Sequence, residues 1–301
     1  MGKTLISVVG PTAVGKTKLA IEIAQYFGTE IISADSRQCY REMNIGTAKP
    51  SADELRLVKH HFINSHSIHD FFSAGAFEKA ALAKLDDLFA ELNPVVMVGG
   101  SGLYVEAVIE GLANIPKINT SIRTELVDKL NSNGLGPLFD TLNSVDPEYA
   151  QLVDKQNPQR IIRALEVFMG TGKPYSFWRN LDSAKRDFDI ISVGLELDRE
   201  ELYKRIDRRM DVMIDEGLFN EADALFQFKD LNPLQTVGYK EIFNHKLGKY
   251  DYDECIRLLK RNSRRYAKRQ LTWFKKNEKT RWFNPNEVSQ IRNFIETSLK
   301  N

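Results

Sequence analysis

Gly10, Pro11, Thr12, Ala13, Val14, Gly15, Lys16 and Thr17 together make the full P-loop pattern, and every part of it suits the holding of phosphate. The glycines let backbone N–H groups close around phosphate oxygens, and a helix starting near Gly15 adds positive potential. Lys16 contributes a mobile cation, and the Thr17 hydroxyl can reach Mg²⁺. Leu5 to Val9, just before the loop, is continuously apolar in the manner of a buried parallel strand. After it Ala20, Ile23, Ala24 and Phe27 recur at helical spacing. The loop therefore lies between a strand and a helix, the setting in which this pattern grips phosphate.

Neighbouring acids decide what chemistry the phosphate undergoes, because nucleotide-hydrolysing and kinase sites use a carboxylate at the end of an adjacent strand. Val95 to Val98 reads as such a strand but runs into Gly99-Gly100 without an acid, whereas Glu30 to Ala34 delivers Asp35 at its end. Asp35 has three possible employments: ligand of Mg²⁺, general base, or cap of a loop.

The elements that must position these groups alternate. Strand, loop, helix and strand make a βαβ unit, and a helix over Ala76 to Leu92 precedes the Val95 strand, which together indicate an α/β fold with a P-loop NTPase-like parallel sheet flanked by helices. From about Ala113 to Asp189 the pattern turns to helical segments broken at Asn133-Gly-Leu-Gly-Pro137 and Gly170-Thr-Gly-Lys-Pro174. The expected organisation is thus a core of residues 1–112 and 190–301 carrying an all-helical insertion of 113–189. Ile190 to Leu197 is expected as a further strand, with helix thereafter.

Net charge is only +1, but the charge is unevenly placed: between Ile256 and Trp282 eleven Lys or Arg accompany one acid, Glu278. On a helix, Arg257, Arg261, Arg264, Lys268 and Lys275 fall on one side and Leu259, Tyr266, Trp273 and Phe274 opposite. One face is therefore expected in the core and the other, with Arg264 and Lys268, on the phosphates of a nucleic acid.

Five separated blocks then resemble those of tRNA dimethylallyltransferases, also called tRNA isopentenyltransferases. They are Asp35-Ser-Arg-Gln-Cys-Tyr40 continuing to Pro50, Gly99-Gly-Ser-Gly-Leu-Tyr104, Asn157 to Val167, Gln235-Thr-Val-Gly-Tyr-Lys240 and Ala267-Lys-Arg-Gln-Leu-Thr-Trp273, in order across nearly the whole chain. Cys39 stands where the family usually has an aliphatic residue and Asn44 where it often has Asp. The resemblance implies transfer of a dimethylallyl group from dimethylallyl diphosphate to N6 of the adenosine 3′ of the anticodon, with Mg²⁺ and the tRNA anticodon stem-loop as partners. It also implies catalytic roles for Asp35 as base, Thr17 beside the diphosphate and Arg209, from Arg205-Ile-Asp-Arg-Arg209, as a charge clamp. Contacts to tRNA are carried over to Asp35, Ser36, Arg37, Gln38, Ser101, Arg123, Gln159, Arg160, Ile161, Ile162, Arg163, Gln235, Thr236, Val237, Gly238, Tyr239 and Lys240.

His60, His61, His66 and His69 crowd ten residues, but their spacing fits no common zinc pattern, and the two cysteines, Cys39 and Cys255, are too far apart to suggest a disulfide framework. The first apolar run is too short for a signal peptide and no run approaches the about 18 residues of a spanning helix, so a cytoplasmic protein, not a membrane one, is expected. The zinc finger of some eukaryotic relatives has no counterpart in this sequence, the compact length points to a bacterial form, and a monomer is expected. Alternatives are an isopentenyltransferase acting on free adenylate, a small-molecule P-loop kinase, and a nucleotide-gated RNA-binding protein. The first two give no reason for the basic helix and the last none for Asp35.

Overall fold

The computed structural model describes residues 2–181 and 185–300, and in it the apolar runs become strands of one parallel sheet. In chain order come β1 (Thr4–Val9), α1 (Lys16–Phe27), β2 (Ile31–Ser33), α2 (Ala52–Leu57), β3 (His60–His61), α3 (Ala74–Phe89), β4 (Val95–Gly99) and α4 (Gly102–Ile109). Five helices follow: α5 (Thr120–Asn133), α6 (Gly136–Val145), α7 (Pro147–Leu152), α8 (Pro158–Thr171) and α9 (Tyr175–Arg179). The chain closes with β5 (Asp189–Leu195), α10 (Arg199–Asp215), α11 (Leu218–Leu225), α12 (Tyr239–Lys246), α13 (Tyr252–Phe274), β6 (Arg281–Phe283) and α14 (Val288–Lys300).

The chain divides into two compact units, Met1–Ile109 with Arg186–Asn301, and Glu110–Lys185. In the first, the strand order is β3-β2-β4-β1-β5-β6, with every pairing parallel. Side chains alternate across β1, so Ile6 and Val8 join a core with Leu19, Ala20 and Ile23 of α1 and Ile291 and Ile295 of α14. Leu5 and Val9 join Phe77, Ala81 and Leu85 of α3 and Val105 and Val108 of α4 on the other side. Both faces of the sheet are covered, which is why its strands are apolar without a polar face.

Two strands go beyond expectation: β3 and β6 occupy the two edges, β3 where the sequence suggested no element and β6 where helix was expected. The helical unit also ends before the expected limit of 189, because Phe188 is buried in the sheet core and Asp189 already pairs with Thr4. Within that unit, Leu126, Leu138, Leu142, Tyr149, Ile161, Ile162 and Leu165 form a separate core. Buried Asp146 ties it together by accepting from the Tyr149 N–H at 3.0 Å and the Ser176 N–H at 2.8 Å. Residues 182–184 of the expected insertion lie outside the described residues. No helix among the described residues is long and apolar enough to cross a membrane.

Candidate active site

Because all strands of the sheet run the same way, the loops after β1, β2 and β4 emerge at one edge, the edge where α/β sheets of this kind hold ligands. Gly15 takes φ of +107°, a left-handed conformation open to glycine, and so turns the chain into α1 with the first amides of the helix facing the loop. Lys16 Nζ donates to the Pro11 carbonyl at 2.7 Å. Burial, and secondarily the nearby Arg209, push its pKa down to about 7, with Asp35 opposing. One cavity is lined by Thr12, Ala13, Lys16 and Thr17 from this loop together with Asp35, Arg37 and Gln38 from the turn after β2, and Arg209 from α10.

Asp35 is the only carboxylate on that lining among the described residues. Its Oδ1 accepts from the backbone N–H of Arg37 at 2.9 Å and of Gln38 at 3.2 Å, so one oxygen caps the turn and Oδ2 is left for other work. Ser101 braces the same turn, its Oγ accepting from the Ser36 N–H at 2.9 Å and donating to the Ser36 hydroxyl at 3.1 Å. Gln38 spends its amide N–H groups on the carbonyls of Thr47 at 3.2 Å and Ala48 at 3.1 Å, fixing the opposite wall. Arg209 reaches from α10 to Thr12 Oγ1 and to the Ala48 carbonyl, both at 3.4 Å. Burial lowers its pKa, while the Asp35 carboxylate works the other way. Arg205 is paired instead with Glu201 at 2.7 Å, and Arg208 is exposed.

Helix α13 closes the cavity with Ser263, Tyr266 and Gln270. Tyr266, expected with the apolar face, turns its phenol to the cavity, and burial pushes that hydroxyl up to about 12. The outer face of α13 also requires correction. Arg264 is bound to Asp207 of α10 at 2.6 Å and Lys260 to Asp211 at 2.5 Å, so these cations hold two helices together and are not free for phosphate. Lys275 pairs with Glu196 at 2.7 Å and Arg257 with Glu254 at 2.6 Å. Arg265, Lys268 and Arg269 are exposed and have no carboxylate partner among the described residues. With Arg261 they form a stripe rotated from the one expected.

Three side chains carried over as tRNA contacts are buried. Ile161 and Ile162 are 0% exposed in the core of the helical unit, and Tyr239 is 0% exposed with its hydroxyl on Glu221, so their side chains are supports and present no surface to RNA. In the same helical unit Arg123 donates to Glu166 at 3.1 Å and to Gln159 at 2.8 Å, Arg163 shares Glu166 at 3.2 Å, and Arg160 is exposed. In the sheet unit, Thr236, Val237 and Gly238 line the cavity while Gln235 and Lys240 are exposed beside it in sequence.

Glu221 was not singled out in the sequence, and no local pattern marks it. Its carboxylate accepts from the backbone N–H groups of Asn44, Ile45 and Gly46, each at 2.9 Å, and from the Tyr239 hydroxyl at 2.6 Å. A single side chain of α11 thus sets the 44–48 wall of the cavity. Gln270 lies inside the Ala267–Trp273 block, and its type and spacing alone point to no role. It joins the P-loop to the loop after β4, accepting from the Thr12 N–H and donating to the Gly100 carbonyl, both at 2.8 Å. The histidines are separately engaged: His61 with Glu30 at 2.6 Å, His66 stacked on Phe72, His69 against Phe228, and His60 donating through Nδ1 to the Val58 carbonyl at 2.8 Å.

A family model described as IPP transferase matches residues 38–277. A tRNA dimethylallyltransferase of Cytophaga hutchinsonii is 48% identical over 300 residues, covering 100% of this chain and 99% of its own. Among solved structures, the full-length tRNA isopentenylpyrophosphate transferase of Bacillus halodurans is 38% identical with a TM-score of 0.72, over 99% of this chain and 97% of that one. A eukaryotic dimethylallyltransferase described as acting on tRNA is 28% identical with a TM-score of 0.75, over 90% of this chain and 69% of that one.

Proposed function

The chain belongs to the IPP transferase family, and from that premise we propose that it transfers a dimethylallyl group from dimethylallyl diphosphate to N6 of the adenosine 3′ of the tRNA anticodon. The observation that carries the reading is a single cavity in which a phosphate-holding loop, Lys16 and Arg209 face Asp35, with no acid at the end of β4. A nucleotide-hydrolysing loop uses such an acid, whereas an alkyl transfer needs a cradle for the leaving diphosphate and an acceptor for one proton.

In the proposed reaction the N6 lone pair forms a bond to the first carbon of the allyl group as that carbon's bond to oxygen breaks. The bonding electrons depart with the diphosphate. The growing negative charge is met by Lys16, by Arg209 and by the backbone amides of the loop at the start of α1. The N6 proton passes to Asp35 Oδ2, the oxygen not spent on the turn. Ile206, Met210 and Met213 on the wall supply an apolar surface for the five-carbon group. Thr17 provides a hydroxyl for Mg²⁺, and no cluster of three or more acids, histidines or cysteines among the described residues is placed to cage a metal. Thr17 is therefore the protein group that would hold the ion beside the diphosphate. When bound there, Mg²⁺ neutralises charge on the diphosphate.

The acceptor base lies in an RNA loop and must leave its stack to enter a pocket, which calls for contacts along the backbone. The stripe Arg261, Arg265, Lys268 and Arg269 lies on the helix that lines the cavity with Tyr266 and Gln270, and this supports entry of RNA from that side. Incubation with unmodified tRNA, dimethylallyl diphosphate and Mg²⁺, followed by digestion to nucleosides, is expected to yield adenosine carrying one dimethylallyl increment by mass. Steady Lys16-dependent release of phosphate from ATP with no increment on tRNA would overturn the reading.

A further inference from the structure

Glu221 does not line the cavity, yet it holds a wall that does. Its Oε2 accepts from the N–H groups of Asn44 and Ile45 and its Oε1 from that of Gly46, each at 2.9 Å, while Oε1 also takes the Tyr239 hydroxyl at 2.6 Å. Gly46 lies close against the same tyrosine. A Cβ there would stand 2.5 Å from the Tyr239 ring, which is 0% exposed and has no room to retreat. The wall is thus fixed from α11 and from α12 together.

Two residues further on, Ala48 takes φ of +48° and ψ of +52°, a left-handed conformation that costs an alanine energy and persists only where its surroundings impose it. That conformation decides where the Ala48 carbonyl points. The carbonyl accepts from Gln38 Nε2 at 3.1 Å and from Arg209 Nη2 at 3.4 Å, and the other acceptor of Arg209 is Thr12 Oγ1, also at 3.4 Å. Both contacts of the guanidinium are long and neither acceptor is charged, so its direction depends on how firmly those oxygens are held. We infer that Glu221 is a positioning residue for the transfer: by pinning the amides of residues 44–46 it keeps Ala48 left-handed, and through the Ala48 carbonyl it aims Arg209 at the diphosphate. The inference rests on the reading of Arg209 as the clamp on that diphosphate.

The test is a double-mutant cycle on the full chain, reading affinity for inorganic pyrophosphate with Mg²⁺ by calorimetry. Glu221→Gln keeps the size of the side chain but leaves it one acceptor oxygen, so part of the amide cluster loses its partner. It is expected to weaken pyrophosphate binding by about tenfold in the otherwise native protein, the size of one hydrogen bond to a charged group, and by less than about twofold when Arg209→Met is already present. Gly46→Ala disturbs the same wall with the carboxylate intact, by forcing it off the Tyr239 ring, and should show the same dependence on Arg209. It decides the matter if Glu221→Gln does not fold. Equal losses with and without Arg209 would make Glu221 a support of the fold alone and overturn the inference. Unchanged affinity in Glu221→Gln, or in Arg209→Met, would overturn it as well. Dimethylallyl transfer to tRNA by the wild type is measured alongside, and its failure strikes the proposed function while leaving the cycle readable.

Discussion

At the carboxyl edge of the sheet, Lys16 and Arg209 rest on oxygens that carry no full charge, those of Pro11, Thr12 and Ala48, whereas in the helical unit Arg123 and Arg163 both lean on the Glu166 carboxylate. The difference separates two uses of a cation. Paired charge holds a fold together and has little left to offer a ligand. Charge that is hydrogen-bonded only to neutral oxygens, and that feels Asp35 without pairing to it, is incompletely answered and attracts an anion that will complete it. By the same standard Arg264 belongs with the structural group, because Asp207 answers it, although in sequence it stands beside Arg265, which has no carboxylate partner among the described residues.

The comparison is tested most severely at Asp35, the one carboxylate on the cavity lining among the described residues. If it serves the acceptor amine and not the phosphate, Asp35→Ala should leave donor affinity intact while single-turnover transfer falls by about 10²-fold or more, the usual cost of a lost base. Asp35→Asn should fail as well, since an amide can orient the amine but cannot take its proton. Donor affinity that collapses in proportion to the rate would make Asp35 a metal ligand and void this assignment.

Arg209 comes next. Arg209→Met keeps a long apolar stem in the wall but removes the charge, and donor affinity is expected to drop by about 10- to 100-fold, the range for hydrogen bonds to a charged group. Thermal stability should not fall with it, because the guanidinium meets only a hydroxyl and a carbonyl of the protein. A large drop in melting temperature with unchanged donor affinity would place Arg209 among the structural cations.

Glu166 probes the other side of the comparison. Glu166→Ala leaves Arg123 and Arg163 unanswered and should destabilise the helical unit by about 2 kcal/mol. That is less than a fully buried pair would lose, since the two arginine side chains are 41% and 40% exposed and water screens them. Donor affinity should not change. Chemical denaturation read alongside calorimetric donor binding separates the outcomes, and a loss of donor affinity equal to that of Arg209→Met would erase the distinction.

How much of this was legible in the sequence follows from distance along the chain. The P-loop, α1 and the strand ending at Asp35 are local patterns, and the continuous apolar runs of β1 and β4 announce a sheet covered on both faces. The edge strands β3 and β6 are two and three residues long and carry His60, His61, Arg281 and Trp282, so neither alternation nor an apolar run marks them. Pairings such as Thr12 with Gln270, 258 residues apart, or Arg264 with Asp207, 57 apart, depend on how helices pack, and helical periodicity alone cannot reveal them. The same limit explains Ile161 and Ile162. A block shared with a family marks residues as a group, and only burial tells which of them face outward and which hold the helix in place.

The smallest expected effect is a proton. In the ligand-free protein burial holds Lys16 at about 7, so at pH 8 most of it is neutral. An anionic diphosphate in the cradle favours the ammonium and raises that pKa, so binding at pH 8 should take up close to one proton. Donor affinity should then weaken by less than about tenfold for each pH unit above 7. Calorimetry in buffers of different ionisation enthalpy measures the uptake directly. The linkage to folding has the opposite sign. The unfolded chain keeps the Lys16 proton up to its ordinary value of 10.5 while the native protein loses it near 7, so the unfolded state binds more protons across that window and the contribution of Lys16 to stability rises with pH. A donor that binds without proton uptake at pH 8 would mean that Lys16 is already charged in the free protein. Its contact with the Pro11 carbonyl would then be compensation enough, and the cradle would not hold the unanswered charge that sets it apart from the helical unit.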